Sequence, residues 1–171
     1  MTKGTLKTIE GDVTNPQRSV VNEIVIIPHV CNDQGIMGSG VAFALKKAFS
    51  TVEYFYLKSG YKLGTNSWVD VDLDKSDMII VNMVAQTGFM NSENSIPLKY
   101  SALIKCMESV RDDVINLLHM KRQYDGKHPV IHCPEFGGLR AGGNFEFVLE
   151  LIREIWLEHG IDVVIYKFEE K

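Results

Sequence analysis

The chain has 171 residues, 45% hydrophobic and 23% charged, with a net charge of −4 and a pI of about 5.7. That length suffices for one domain with a proper core, and the composition is that of a soluble globular protein. The acidic balance excludes a bulk nucleic-acid binder with a basic face, and no apolar run nears the length of a membrane span.

Leu6 to Glu10 alternates weakly and ends at Gly11-Asp12, as a short edge strand does. Ile24 to Pro28 is continuously apolar, the pattern of a strand covered on both faces. Ser39 to Phe49 reads as a helix with Val41, Ala42, Leu45 and Phe49 on one side. Trp68 to Leu73 alternates. With the turn Asp74-Lys75-Ser76-Asp77 and the apolar run Met78 to Ala85, it reads as a hairpin. Thr87 to Ser95 is a polar loop without period. Pro97 suits the first turn of a long helix, Leu98 to about Arg122. Lys99, Lys105, Lys121 and Arg122 read as a solvated helix face. After a polar linker, Gln123 to His128, Val130 to Cys133 is a strand. Asn144 to His159 is a helix stopped by Gly160, and Ile161 to Phe168 is the last strand. Strands alternating with helices, with one hairpin breaking the order, predict a three-layer α/β/α sandwich with a mixed central sheet.

Cys31, Cys106 and Cys133 are far apart, each in or beside an apolar run, and fit reduced thiols. No Cys/His spacing points to a metal, and nothing points to a cofactor. The N-terminus carries no apolar leader core, so the expected location is cytoplasmic.

Two glycine clusters stand out. Gly35-Ile36-Met37-Gly38-Ser39-Gly40 lies between a strand and a helix, and so does Gly137-Gly138-Leu139-Arg140-Ala141-Gly142-Gly143. Such a turn brings backbone close to a ligand and aims free N–H groups and the helix dipole at an anion. Two of them at strand carboxyl ends suit a diphosphate. The alternative is two independent tight turns. The first cluster has neither the dinucleotide nor the P-loop spacing.

Read together, the motifs resemble the macrodomain family. The resemblance rests on five segments in family order, spanning nearly the whole chain. They are Gly11-Asp12-Val13-Thr14; His29-Val30-Cys31-Asn32 running into Gly35 to Ala42; Ile96-Pro97-Leu98-Lys99-Tyr100; Pro134 to Phe145; and Ile165-Tyr166-Lys167-Phe168. It implies one macrodomain over residues 1–171. The His-x-Cys-Asn entry is most similar to stand-alone ADP-ribose-1''-phosphate phosphatases. The implied ligand is ADP-ribose or ADP-ribose-1''-phosphate, with ADP-ribosylated macromolecules as further partners.

The resemblance assigns roles residue by residue. Asp12, with Val13 beside it, takes the adenine amino group, and Tyr166 stacks on the base. Gly38, Ser39, Gly40 and Val41 bind the diphosphate, and Gly138, Leu139, Arg140, Ala141 and Gly142 close over it. Asn32 holds the distal ribose and belongs with His29 and His132 to the expected catalytic set. The two histidines, read as standing at strand ends facing one cleft, suit an acid–base pair on a terminal phosphate without a metal. Asp33 and Glu135 are the carboxylates nearest the loops. The related ADP-ribosyl hydrolases place a lysine just before the long helix, where this chain has Ile96 or Pro97, and an aspartate where it has Arg140. Three functions remain open: the phosphatase, a hydrolase removing ADP-ribose from protein or nucleic acid, and a reader without chemistry.

Overall fold

Apolar side chains alternate between the two faces of the central strand, and that alternation sets the layers. In the computed structural model, which describes residues 2–72, 77–120, 126–138 and 141–168, this strand runs from Glu23 to Asn32. Ile24 and Ile26 join one core; Val25, Ile27 and Cys31 join the other. The elements in chain order are β1 (Leu6–Glu10), β2 (Glu23–Asn32), α1 (Gly40–Ala48), α2 (Thr51–Lys58), β3 (Asn66–Asp70), β4 (Met78–Gln86), α3 (Tyr100–His119), β5 (His128–Pro134), α4 (Phe145–Ile155) and β6 (Val163–Lys167). The sheet order is β1-β6-β5-β2-β4-β3, parallel except for the β3–β4 hairpin. Leu103, Met107 and Val110 of α3 and Val148 and Ile152 of α4 fill the first core. Leu45 of α1 and Val52 and Tyr56 of α2 fill the second. This is the expected α/β/α sandwich with a mixed sheet.

Several boundaries differ from the sequence reading. β2 continues four residues past Pro28, because β4 pairs with it as far as Asn32 and both faces stay covered. α2 is an added helix; its aromatic, β-branched sequence hides a period visible only in the buried pair Val52 and Tyr56, four apart. α3 begins at Tyr100, since the Leu98 and Lys99 N–H groups bond Ala141 O and Ala85 O and keep that segment extended. α4 closes with a short 3-10 turn, Leu157–His159, before Gly160. Residues 74–76 of the expected turn, and residues 123–125 of the expected linker, lie outside the described residues. No helix among the described residues is long and apolar enough to cross a membrane.

The ladder between β2 and β5 ends at Ile26 and Ile131. Pro28, with no N–H to give, stands just beyond that point. The chain leaving β2 turns to α1 on one face, and the chain leaving β5 turns to α4 on the other. Neighbouring parallel strands whose connections diverge in this way leave a crevice at their carboxyl ends, where ligands bind in open α/β sheets.

Candidate functional site

Three loops meet at that crevice. The first, residues 33–39, is tied to its strand by Asn32. The Asn32 Oδ1 accepts from Gln34 N at 2.9 Å and Ile36 N at 3.3 Å, and its Nδ2 donates to Ile36 O at 2.6 Å. The Tyr56 hydroxyl lies 2.5 Å from Asn32 O and accepts from Gly35 N at 3.1 Å. The second loop, residues 87–99, docks on the first through Asp33, whose Oδ1 accepts from Gly88 N at 3.0 Å. Asn94 closes it by donating to Thr87 O and Phe89 O. The third, described over residues 135–138 and 141–144, docks on the second where Leu98 N meets Ala141 O at 3.0 Å. Sequence reading passed over the 87–99 loop, whose polar residues show no period.

The glycines sort into two kinds. A Cβ on Gly143 would lie 2.1 Å from Gly137 O, and one on Gly142 2.3 Å from Ser95 O, so these two serve loop packing. Gly38 and Gly138 differ. Neither has the backbone angle that favours glycine, and the nearest atoms to an added Cβ are Ile36 Cγ2 at 3.6 Å and Glu135 O at 3.7 Å. Against the described residues, packing and conformation leave both free to carry a side chain, one in each loop.

α1 begins at Gly40, φ +63°, after Ser39, whose side chain makes no cap bond. The Gly40, Val41 and Ala42 N–H groups bond no described residue. They point the positive end of α1 out of the first loop, the arrangement that holds a phosphate. Leu139 and Arg140 lie outside the described residues.

At the far end, Asp12 is exposed. Its Oδ1 accepts from Thr14 N at 2.9 Å and Thr14 Oγ1 at 2.7 Å, and Oδ2 has no partner among the described residues. The Val13 side chain is buried, so any part it takes in binding is through its backbone.

The structure corrects the placing of four side chains. Tyr166 is 2% exposed, with its hydroxyl bonded to Gln17 N and His132 Nδ1, and offers no ring face to a base. Phe168, two residues on and just past the end of β6, is 72% exposed. The β1–β6 pairing ends at Glu10 and Lys167, so Phe168 leaves β6 where Gly11-Asp12 leaves β1. Period two along the last strand was the signal for it. His29 lies inside β2 and is 1% exposed, with Nε2 2.6 Å from Asn82 Oδ1. Asn82 in turn donates to Ser67 Oγ and Val52 O. Burial drives the His29 pKa down to about 4, outweighing the Asn82 bond that raises it. His132 is fully buried between Glu23 and Tyr166. The two rings do not share a solvent-facing cleft; each is enclosed by its own partners. The Asn32 amide is occupied in fixing the first loop, as described above.

Burial pushes the thiols of Cys31, Cys106 and Cys133 up, so they stay protonated. Among the described residues no group of His, Cys, Asp or Glu side chains is placed to hold a metal ion.

No family model matches the sequence, and no curated protein matches it. Solved structures do. A Bacteroides thetaiotaomicron protein is 28% identical with a TM-score of 0.76, the alignment covering 94% of this chain and 98% of that one. A macrodomain protein from Streptomyces coelicolor is 26% identical at 0.71, covering 95% and 98%. The DarTG protein of Thermosipho africanus, solved in complex with ADP-ribose, is 16% identical at 0.61, covering 96% of this chain and 42% of that one. The fold is that of the macrodomains.

Proposed function

We propose that residues 1–171 act as a single macrodomain that binds ADP-ribose in this crevice and releases phosphate from ADP-ribose-1''-phosphate. The observation that carries the binding is the pair Gly38, two residues before the open N-terminus of α1, and Gly138 in the third loop, glycines that neither packing against the described residues nor backbone angle requires. Room for backbone approach from both sides is what a diphosphate needs. Asp12 then takes the adenine amino group, which a carboxylate favours as an acceptor-only group, and Phe168 stacks on the base. The Streptomyces likeness and the ADP-ribose held by the Thermosipho protein support the same ligand.

Phosphate release is favoured over lysine-based removal of ADP-ribose by Ile96 and Pro97 before α3. The nearest lysine there, Lys99, turns its Nζ to Ile96 O at 3.3 Å. With both imidazoles enclosed, Asp33 and Glu135 are the carboxylates at the bases of the two glycine loops. We assign them to the proton transfers: water attacks phosphorus, the bond from phosphorus to the ribose 1''-oxygen breaks, and that oxygen takes a proton. A second reading, action on ADP-ribosylated nucleic acid, draws on one observation. Leu57 and Tyr61 lie against Gly35, and exposed Tyr54, Phe55, Lys58 and Lys62 continue that surface outward from the first loop. Aromatics interleaved with lysines suit single strands.

The test is phosphate release from ADP-ribose-1''-phosphate beside calorimetric binding of ADP-ribose. Binding with release supports the phosphatase. Binding without release, with ADP-ribose freed from modified single-stranded DNA, selects the second reading. No binding overturns both.

A further inference from the structure

Glu23, His132 and Tyr166 come from three strands and meet in the core below the Asp12 segment. Glu23 and His132 are fully buried, and Tyr166 nearly so. His132 Nε2 bonds Glu23 Oε1, and His132 Nδ1 lies 2.8 Å from the Tyr166 hydroxyl. Both ends of the chain finish on one backbone segment. The Tyr166 hydroxyl accepts from Gln17 N at 2.9 Å, and Glu23 Oε2 accepts from Ser19 N at 2.9 Å. Between them Arg18 donates to Glu23 O at 2.8 Å and to Asp77 Oδ1 at 3.1 Å.

One proton order gives every proton an acceptor among the described residues. With Gln17 N–H as its donor, the Tyr166 hydroxyl meets no acceptor for its own proton but His132 Nδ1. That nitrogen is therefore bare, Nε2 carries the ring proton, and it donates to Glu23, an ionised acceptor of two bonds. Burial alone would raise the Glu23 pKa, but the bonds from His132 and from the Ser19 and Val20 backbone hold it below its usual range. A buried pair of this kind adds little stability over apolar residues of the same volume. What apolar residues cannot do is accept the Gln17 and Ser19 N–H groups.

We propose that Glu23, His132 and Tyr166 are positioning residues: a proton-ordered chain that holds the 12–19 segment, and with it the Asp12 carboxylate, over the carboxyl end of β6. The role toward the ligand rests on the reading of Asp12 as the base contact; the order of the chain does not.

The experiment combines histidine nitrogen NMR with residue-resolved amide exchange. The His132 ring is expected with a bare Nδ1 and a protonated Nε2 at neutral pH; a doubly protonated ring, or the opposite tautomer, overturns the chain. Tyr166→Phe keeps the ring, removes the hydroxyl, and is expected to speed Gln17 amide exchange about tenfold or more while β2 amides stay protected. ADP-ribose affinity is expected to fall roughly tenfold, with ribose-5-phosphate affinity unchanged. Unaltered Gln17 exchange, or equal loss for both ligands, overturns the proposal. Should Tyr166→Phe not fold, Glu23→Gln serves. Its amide keeps one acceptor oxygen where the carboxylate has two, so either the Ser19 N–H or the His132 Nε2–H loses its acceptor; faster Ser19 exchange or a switched His132 tautomer is expected, and the absence of both overturns the chain. If the parent binds no ADP-ribose, the role toward Asp12 fails together with the functional reading. The tautomer and exchange results then decide the chain alone.

Discussion

Enclosure of the His29 ring makes that residue a sensor of acid and not a partner of phosphate. Its pKa falls from an ordinary 6.5 to about 4 because charging a ring that is 1% exposed forfeits hydration. The sign follows from proton uptake. Below pH 6.5 the unfolded chain protonates at this position while the folded protein does not, so stability is lost as the pH drops. The contribution, roughly 3 kcal/mol for a shift of this size, is complete above pH 6.5 and spent near pH 4. Carboxylates held low by their partners, Asp77 beside Arg18 and Asp162 beside Thr5 and His128, act mainly below that window. His29→Gln keeps a donor for Asn82 and removes the titration. Urea unfolding measured between pH 6.5 and pH 4.5 is expected to show a shallower loss in this variant than in the parent. Parallel curves would mean that the ring is accessible to protons in the folded state, and would return it to the list of acid–base candidates.

At the scale of elements, the sharpest contrast lies between two glycines of similar appearance. Gly38→Val is expected to fold with an unchanged melting temperature, because its Cβ meets nothing closer than Ile36 Cγ2 at 3.6 Å. It is expected to lose ADP-ribose binding, since the branched side chain fills the space beside the α1 N-terminus. Gly143→Ala should do the reverse and destabilise the third loop, its Cβ lying 2.1 Å from a backbone oxygen. Retained affinity in folded Gly38→Val would reduce the first loop to a turn. The sequence could not separate these two glycines, because the difference lies in what faces them across the fold. It did show the strands whose runs of Ile and Val are buried on both faces, and both glycine loops, since φ and close approach leave a compositional mark. α2 stayed hidden because eight residues rich in aromatics bury only two, too few for a period to emerge. Tyr166 and Phe168 show the same limit. Both are aromatic and two residues apart, and the end of the β1–β6 pairing between them separates a core residue from an exposed one.

Across the whole molecule, the crevice owes its position to topology. β2 and β5 are neighbours whose following helices take opposite faces, and the ladder between them stops at Ile26 and Ile131. A ligand lodged there bridges the first and third loops, which the described residues join through the 87–99 loop. Binding therefore adds a link between the two halves of the sheet that unfolding must break. ADP-ribose at a hundred times its Kd is expected to add about 2.7 kcal/mol, raising the melting temperature by roughly 5–10 °C in a domain of this size. Phe168→Ala sharpens the test. The side chain is 72% exposed, so the parent melting temperature should not move, while loss of base stacking should cost about 1 kcal/mol of binding or more. Ribose-5-phosphate, which has no base to stack, should protect both proteins alike. Calorimetric scans of the two across an ADP-ribose titration separate the outcomes. Equal protection of parent and variant would place the base away from Phe168, and a flat melting temperature for the parent would remove ADP-ribose as the ligand of the crevice.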